Sequence, residues 1–300
     1  MKIKIITRVL NEKYFLDTYI RYYLDMGVDE IHFFDSQSTD GTLESIKAWE
    51  KKDKRIQLIK SSKKFRHTSV SKQTEVCNMV LQQTVKDYKK EKEETWWMLL
   101  DIDEYVQPPQ EGLRQFFEKA DRNIIRCVFF EWYLPREVAE KNISAAEALE
   151  QIRAGNARGR LTDLWGDPFY KDYVLRLAPD TIKDVSRFRI ISGNHRFLLD
   201  KETVVPDNTP FLVIDHLRGV AMSVNQNRIN RGLLLMEEQQ KKMQDNWTYE
   251  HFKKMKTEVS DYSELYQKVL KSKPELDAIL ETVPQYDNSQ SKYNKIIYGS

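Results

Sequence analysis

The segment of this sequence with the clearest chemical content is an apolar run that ends in three carboxylates. Trp96–Leu100 (WWMLL) is followed by Asp101, Asp103 and Glu104. On an extended chain Asp101 and Asp103 are separated by one residue, so both can face one side. Carboxylates this close repel one another unless a cation lies between them or their pKa values separate. A hard divalent cation with oxygen ligands and substrate phosphates resolves the repulsion, and the alternative is a solvated acidic turn.

Polar residues also follow two earlier strand-like runs. The run Ile3–Ile6 leads into Thr7–Glu12 (TRVLNE), and the run Val28–Asp35 leads into the segment SQSTDGT. The second run places a carboxylate, Asp35, at a strand tip, before a turn that Gly41 permits and a capped helix. Hydroxyls, amides and a helix N-terminus in such a place can approach a nucleotide.

The elements that would position these residues alternate between strands and helices over the first hundred residues. Helices are predicted from Tyr14 to Met26, from the end of the SQSTDGT segment through Trp49, and from Val70 to Val85. A further strand is predicted at Arg55–Ile59. This β-α-β-α-β-α-β order predicts a doubly wound sheet with right-handed crossovers. Ligands of such sheets bind beyond the carboxyl ends of the strands, which is where the polar segments lie.

In these three segments the sequence resembles the nucleotide-sugar glycosyltransferases of the GT-A fold, family 2 and the related family 92-like branch. Val9–Glu12 matches the first-strand signature, Asp35–Thr42 matches the strand-two aspartate and its turn, and Leu99–Glu104 matches the Asp-x-Asp metal motif with the added Glu. The resemblance is clear over residues 1–106, weaker to about 220 and absent beyond. It implies an α/β fold, a Rossmann-like doubly wound GT-A catalytic domain with a C-terminal helical extension, and hexosyltransferase-type activity.

The resemblance also implies roles for individual residues. Those assigned to the donor are Thr7, Arg8, Asn11, Glu12, Asp35, Lys72, Gln73 and Asp101. Asp101 and Asp103 would hold Mn²⁺ or Mg²⁺ on the diphosphate of the donor, for which a UDP-sugar is favoured. Where the family has an Ala-Arg-Asn-like step before the third helix, this sequence has Ser71-Lys72-Gln73, whose last two side chains can still contact phosphate.

GT-A enzymes often add a late histidine to the metal ligands. His216 is the predicted ligand because it follows a strand-like run directly, beside Asp215 and Arg218, and His195 is the alternative. Neutral imidazole is a suitable ligand for Mn²⁺ beside carboxylates.

An inverting enzyme of this class needs a carboxylate base to deprotonate the acceptor hydroxyl. The candidates, of which at most one would serve, are Glu131 at the end of a strand-like run and Asp163 and Asp167 in the segment LTDLWGDP. The sequence is equally compatible with retention of stereochemistry.

Beyond residue 106 the pattern changes. Strand-like runs are separated by long polar connections, one of which holds a predicted helix over 144–154, and the chain after Val220 has a helical pattern. We expect a GT-A domain over 1–219, with a nucleotide-sugar half (1–106) and an acceptor half (107–219), and a helical C-terminal region over 220–300.

The composition limits the remaining classes. Among 300 residues, 48 Lys+Arg and 46 Asp+Glu give a net charge of +2, which argues against a surface built as a whole for nucleic acid or acidic membrane. Two cysteines cannot form a disulfide framework, and no apolar run approaches the ~18–20 residues of a spanning helix. We expect a cytoplasmic protein that binds no nucleic acid, with peripheral membrane contact through the C-terminal helices as an option.

The predicted function is metal-dependent transfer of a sugar from a nucleotide-diphosphate sugar to a glycan or glycoconjugate acceptor, in surface polysaccharide biosynthesis. One alternative is a haloacid-dehalogenase-like Mg²⁺-dependent phosphotransferase with Asp101 as nucleophile. That family has Thr or Val where this sequence has Tyr105, and its motif lies on the first strand. The other alternative is a non-catalytic module that binds a nucleotide sugar or nucleic acid. The basic stretch from Lys51 to Lys72 is the feature that would favour nucleic-acid binding.

Overall fold

The computed structural model of the chain describes residues 1–59, 75, 78–79, 82, 93–120, 124–160, 170–177, 188–191, 196–199, 202–203, 211–230, 256–257 and 270–280. Its strands are β1 (Lys2–Val9), β2 (Glu30–Asp35), β3 (Ile56–Leu58), β4 (Thr95–Leu99), β5 (Glu104–Val106), β6 (Ile124–Tyr133), β7 (Arg158–Arg160), β8 (Tyr170–Leu177), β9 (Phe188–Ile191), β10 (Arg196–Leu199), β11 (Glu202–Thr203) and β12 (Phe211–Gly219). Its helices are α1 (Lys13–Asp25), α2 (Thr42–Lys52), α3 (Leu113–Lys119), α4 (Arg136–Ala139), α5 (Ala145–Arg153), α6 (222–230) and α7 (Lys273–Leu280).

The helix α1 forms where its apolar residues recur at helical spacing. Its buried residues are Phe15, Leu16, Tyr19, Ile20 and Tyr23, which lie along one face of the helix. Gly27 follows with φ of 83°, a left-handed conformation that ends a helix with little strain in glycine. The predicted helix from Tyr14 to Met26 is confirmed to within one residue at each end.

The strands of the first half form the doubly wound arrangement that the sequence predicts. β3, β2, β1 and β4 lie in that order and are parallel, so the chain moves outward from β1 to β3 and then returns to the other side of β1. This reversal places a topological switch point between β1 and β4, where ligands of open α/β sheets bind. Beyond β4 the sheet is mixed, because β8 is antiparallel to β4 and β6 is antiparallel to β8.

The chain divides into two compact units, and the boundaries between them fall within β6 and β12. The first unit is formed by described residues of 1–129 and 164–215, and the second by those of 130–163 and 216–282. The first unit contains all the parallel strands, and β5 joins its sheet through the N–H of Gln107, which donates to the carbonyl of Val213 at 2.8 Å. A separate antiparallel sheet in the order β11-β10-β9 also belongs to the first unit.

In the second unit, β7 pairs with the end of β6 on one side and with the segment before α7 on the other. Glu131 and Tyr133 pair with Arg160 and Arg158 in antiparallel register. On its other side, Gly159 exchanges two main-chain hydrogen bonds of 2.8 Å with Lys271. The approach is so close that a Cβ at Gly159 would lie 2.9 Å from the Glu131 carbonyl oxygen and from the Trp132 ring. A glycine is therefore required here for packing.

Several elements were not predicted or cannot be compared with the prediction. The helix α3 was not predicted, and it begins after Gly112, whose φ is 85°. The helix predicted over 70–85 lies mostly outside the described residues, although residues 75, 78, 79 and 82 are helical. The proposed boundary near residue 219 stays a prediction. Within the described residues, no helix has the length and apolarity needed to cross a bilayer.

We predict that Gly159→Ala lowers the free energy of unfolding by about 1–3 kcal/mol, since backbone and ring atoms must move to admit the new Cβ. The control is Gly27→Asn, which meets no atom within 4 Å and whose residue type tolerates a positive φ. Chemical denaturation of both variants measures the difference. Equal losses, or no loss at Gly159, would contradict the close approach.

Candidate functional site

The loops that follow β1, β2 and β4 lie at the same edge of the sheet. The pairing of Val9 with Asp35 brings the ends of β1 and β2 together, and the pairing of Ile6 with Leu99 brings the end of β4 beside β1. All three strands are parallel, so their carboxyl ends meet at the switch point. The first unit therefore assembles the three polar segments that the sequence singles out.

The loop after β1 is joined to the loop after β2 by hydrogen bonds to Asn11 and Glu12. The Asn11 N–H donates to Ser38 Oγ at 2.9 Å, and Asn11 Oδ1 accepts from the Thr39 N–H at 2.6 Å. The Glu12 N–H donates to Thr42 Oγ1 at 2.9 Å. Asn11 has φ of 57°, a left-handed conformation that asparagine tolerates better than most residues. The two predicted donor loops are thus one connected structure.

The two aspartates of the β2–α2 loop bind main-chain N–H groups. Asp35, predicted to contact the donor, accepts from the N–H of Gln37 at 2.9 Å and from that of Ser38 at 3.1 Å. Asp40 accepts from the N–H of Lys13 at 3.1 Å and from that of Thr42 at 3.0 Å, which are the first residues of α1 and α2. Burial raises the pKa of Asp40, but the hydrogen bonds from Thr42 and Lys13 outweigh it and lower that pKa.

The segment after β4 is a turn, whereas the sequence led us to expect an extended chain. β4 ends at Leu99, and the N–H of Glu104 donates to the carbonyl of Asp101 at 3.1 Å, which closes a turn over Ile102 and Asp103. The turn arises because Glu104 Oε2 also accepts the Asp101 N–H at 2.8 Å. Asp101 is partly exposed, Asp103 is 4 % exposed and Glu104 is 0 % exposed. The three carboxylates therefore do not present a common exposed face.

The remaining donor candidates of the first unit differ in exposure. Thr7 is 1 % exposed and Glu12 is 7 % exposed, whereas Arg8 and Asp35 are partly exposed. Lys72 and Gln73 lie outside the described residues, as does most of the basic stretch that begins at Lys51.

The residues present are compatible with a divalent cation bound at the β4–β5 turn. Within the described residues, no group of three or more His, Cys, Asp or Glu is arranged to hold a metal ion. Mg²⁺, however, is usually held by one or two carboxylates, with substrate phosphates and water as the other ligands. Asp101 and Asp103 supply that number of carboxylates, and Asp101 is partly exposed whereas Asp103 is 4 % exposed.

The candidate base Glu131 lies in the second unit, within a cluster of basic residues. Its Oε2 accepts from Arg160 Nε at 2.7 Å, and its Oε1 lies 3.6 Å from Nδ1 of His216 and 4.0 Å from Nε of Arg218. Arg160 also donates to the hydroxyl of Tyr133 at 3.0 Å. Sequence reasoning considered Glu131 and His216 separately and missed the role of Arg160, which only the pairing of β6 with β7 reveals.

These neighbours determine the protonation of Glu131. Burial raises the pKa of Glu131, but the charge of Arg160, the hydrogen bond with His216 and the charge of Arg218 outweigh burial and hold that pKa well below its ordinary value. Glu131 is therefore ionised and is a weak proton acceptor at neutral pH. Asp163 and Asp167, the other candidate bases, and His195, the alternative metal ligand, lie outside the described residues.

Comparison with known families identifies the enzyme class that residues 11–149 match. Residues 11–149 match the sequence profile of glycosyltransferase family 92, and they include Asn11, Asp35 and the turn from Asp101 to Glu104. The matched segment is slightly less than half of the chain. The predicted resemblance and the enzyme class, a glycosyltransferase, are confirmed, and with them the α/β fold of the GT-A type. No protein of curated function matches the chain significantly.

Three solved glycosyltransferase structures are distantly similar to this chain. TarS of S. aureus is 17 % identical with a TM-score of 0.26, over 43 % of this chain and 21 % of that one. A glycosyltransferase involved in glycosylation of the major capsid of PBCV-1 is 13 % identical with a TM-score of 0.26, over 62 % and 64 %. The mannosyltransferase PcManGT from Pyrobaculum calidifontis, in complex with GDP-Man and Mn²⁺, is 11 % identical with a TM-score of 0.35, over 95 % and 81 %. The chain thus spans about a fifth of the length of TarS and less than two thirds of the capsid enzyme, and the family assignment depends on the profile match.

We predict that two substitutions of Asn11 lower the stability of the first unit to different extents. Asn11→Gly keeps the left-handed backbone and removes the bond to the Thr39 N–H, so we expect a loss of about 1 kcal/mol in the free energy of unfolding. Asn11→Ala adds the cost of a positive φ in a residue with a Cβ, for a total of about 2–3 kcal/mol. Urea denaturation measures both, and equal losses would show that the backbone conformation contributes nothing.

We also predict a pH-dependent effect of Glu131→Gln. Because the folded-state pKa of Glu131 is below its ordinary value of 4.5, the ionised carboxylate stabilises the fold above that pH and stops doing so as the pH falls through the folded-state pKa. At pH 7 the variant should lose about 3–5 kcal/mol in the free energy of unfolding, since it leaves buried arginine charge without its partner. Below pH 4.5 the difference should shrink.

The control for this measurement is the exposed residue Glu118, for which Glu118→Gln should change the free energy of unfolding by less than about 0.5 kcal/mol at any pH. A loss in Glu131→Gln that stays constant from pH 7 to pH 4 would contradict the ion pair as its cause.

Proposed function

We propose that the chain transfers a sugar from a nucleotide-diphosphate sugar to a glycan or glycoconjugate acceptor, with Mn²⁺ or Mg²⁺ at Asp101 and Asp103. A UDP-sugar is the favoured donor, and surface polysaccharide biosynthesis is the favoured process. The observation that carries the proposal is the meeting of the loops after β1, β2 and β4 at the switch point, in a chain whose residues 11–149 match the profile of glycosyltransferase family 92.

In this proposal the β1 and β2 loops bind the nucleoside and the β4–β5 turn faces the diphosphate. Asn11 and Asp35 already bind main-chain N–H groups of the β2–α2 loop, so their first contribution is to hold that loop in one conformation. A loop held in this way loses little conformational entropy when the donor binds. The partly exposed edges of Asn11 and Asp35 then face the nucleoside.

Asp101 and Asp103 supply the negative charge of the site. A divalent cation bound there would act as a Lewis acid that stabilises the charge developing on the leaving diphosphate. The task of the two carboxylates is to hold that charge in a fixed place, and the burial of Asp103 limits its movement. Two carboxylates, a donor diphosphate and water would together supply the octahedral ligand set that Mg²⁺ prefers.

The proposal gives Glu131 no proton-transfer role. Its ion pair with Arg160 keeps it ionised, but the same pair makes it a poor acceptor for the proton of a sugar hydroxyl. His216 as a metal ligand and Asp163 or Asp167 as the base stay predictions.

We predict that Asp103→Asn abolishes metal-stimulated hydrolysis of the donor. With several kcal/mol of transition-state stabilisation removed, the rate should fall by about 100-fold or more while the melting temperature stays within a few degrees. A panel of nucleotide sugars assayed with Mn²⁺, with Mg²⁺ and with a chelator gives the measurement, and Glu118→Gln is the control because Glu118 is exposed on α3.

Absence of any metal-dependent hydrolysis or thermal shift across the donor panel would contradict the proposed function. Full activity of Asp103→Asn would leave the proposed glycosyltransferase activity supported and would contradict the proposed metal site at the turn. The two failures are therefore distinguishable.

A further inference from the structure

Of the three carboxylates that follow β4, Glu104 is oriented differently from what the motif suggests. Glu104 is 0 % exposed, and its Oε2 accepts the N–H of Asp101 at 2.8 Å. Its own N–H donates to the carbonyl of Asp101 at 3.1 Å. The side chain and the main chain of Glu104 therefore both bind the main chain of Asp101, and this carboxylate is directed at the turn.

A tyrosine from α1 in turn fixes the main chain of Glu104. The hydroxyl of Tyr23 donates to the Glu104 carbonyl at 2.7 Å and accepts from the N–H of Val106 at 3.0 Å. Tyr23 is 0 % exposed, so these bonds are shielded from water. The neighbouring Tyr22 donates to the Val106 carbonyl, two residues further from the turn.

Ring packing holds the same strand in place. Tyr105 lies between the residues bound by Tyr23, and its ring centroid is 5.1 Å from that of Tyr22 and 6.4 Å from that of Tyr23. Tyr22 and Tyr23 lie on α1, and α1 begins directly after the loop that holds Asn11 and Glu12. One rigid helix therefore positions both the donor loop after β1 and the turn after β4.

We propose that Glu104 and Tyr23 are positioning residues of the metal site: Glu104 fixes the main chain of Asp101 and does not bind the metal, and Tyr23 fixes Glu104. This inference rests on the proposed metal site at Asp101 and Asp103. Loss of the hydrogen bond between the Glu104 side chain and the Asp101 N–H would free the turn to relax. Groups that orient metal ligands typically change metal affinity by about 10–100-fold when they are removed.

The test compares matched variants of the full chain by Mn²⁺ binding in the presence of UDP, followed by electron paramagnetic resonance, with Mn²⁺ and UDP alone as the blank. Tyr23→Phe should weaken Mn²⁺ binding by about 10-fold, whereas Tyr22→Phe, which removes a hydroxyl from the same helix, should change it by less than about 3-fold. Both variants keep the ring packing and are expected to fold.

Amide hydrogen exchange gives the second measurement, which does not depend on metal or activity. Glu104→Ala should accelerate exchange of the Asp101 amide, and Glu104→Gln, whose side-chain carbonyl can still accept from that N–H, should do so less. In Mn²⁺ binding Glu104→Gln should likewise lie between the wild type and Glu104→Ala. If Glu104 were a ligand, the two substitutions would weaken Mn²⁺ binding equally and leave the Asp101 amide protected, which would overturn the proposal.

The outcome in the wild-type chain separates this inference from the proposed function. If the wild-type chain binds no Mn²⁺, the proposed metal site fails and the positioning role fails with it. If the wild type binds Mn²⁺ and Tyr23→Phe binds it equally well, the positioning role alone fails.

Discussion

Main-chain N–H groups at the ends of strands and the starts of helices must find acceptors, and in the first unit the chain's own carboxylates and amides supply them. Asp35 accepts a hydrogen bond from an N–H group of the turn after β2. Asp40 accepts from the N–H groups at the starts of α1 and α2, and Glu104 accepts from an N–H group of the turn after β4. A hydrogen bond within the folded chain contributes about 0.5–1.5 kcal/mol net, so each of these bonds restricts the loop that it closes. The shape of the site depends on them, because the loops have no regular secondary structure to hold them.

This constraint explains why residues of the same type have different roles. Asp103, Glu104 and Glu131 are all buried carboxylates, but their partners differ. Glu104 is directed at a backbone N–H, and Glu131 forms an ion pair with Arg160 in the second unit. What a carboxylate can do chemically is therefore decided by the donors around it, which come from other segments of the chain.

The sequence alone was sufficient for those parts of the site and fold that depend on local patterns. The apolar stripe of α1, the polar segments after β1 and β2, and the acidic segment after β4 are each contained in a few consecutive residues. Parallel strands bring such segments together by topology, so their meeting could also be predicted. The direction of β8, the contact of Tyr23 with Glu104 and the pairing of Glu131 with Arg160 could not, because each depends on residues that are distant in sequence.

The position of Asp40 has a consequence for how a diphosphate can be accommodated. Many nucleotide-binding folds place phosphate at the start of a helix, where free N–H groups and the helix dipole attract negative charge. Here the Asp40 carboxylate already lies at the start of both α1 and α2, with bonds to Lys13 and Thr42. A phosphate group would meet like charge at these helix ends. In the proposed function, neutralisation of the leaving diphosphate therefore falls to the cation at Asp101 and Asp103 and not to these helix ends.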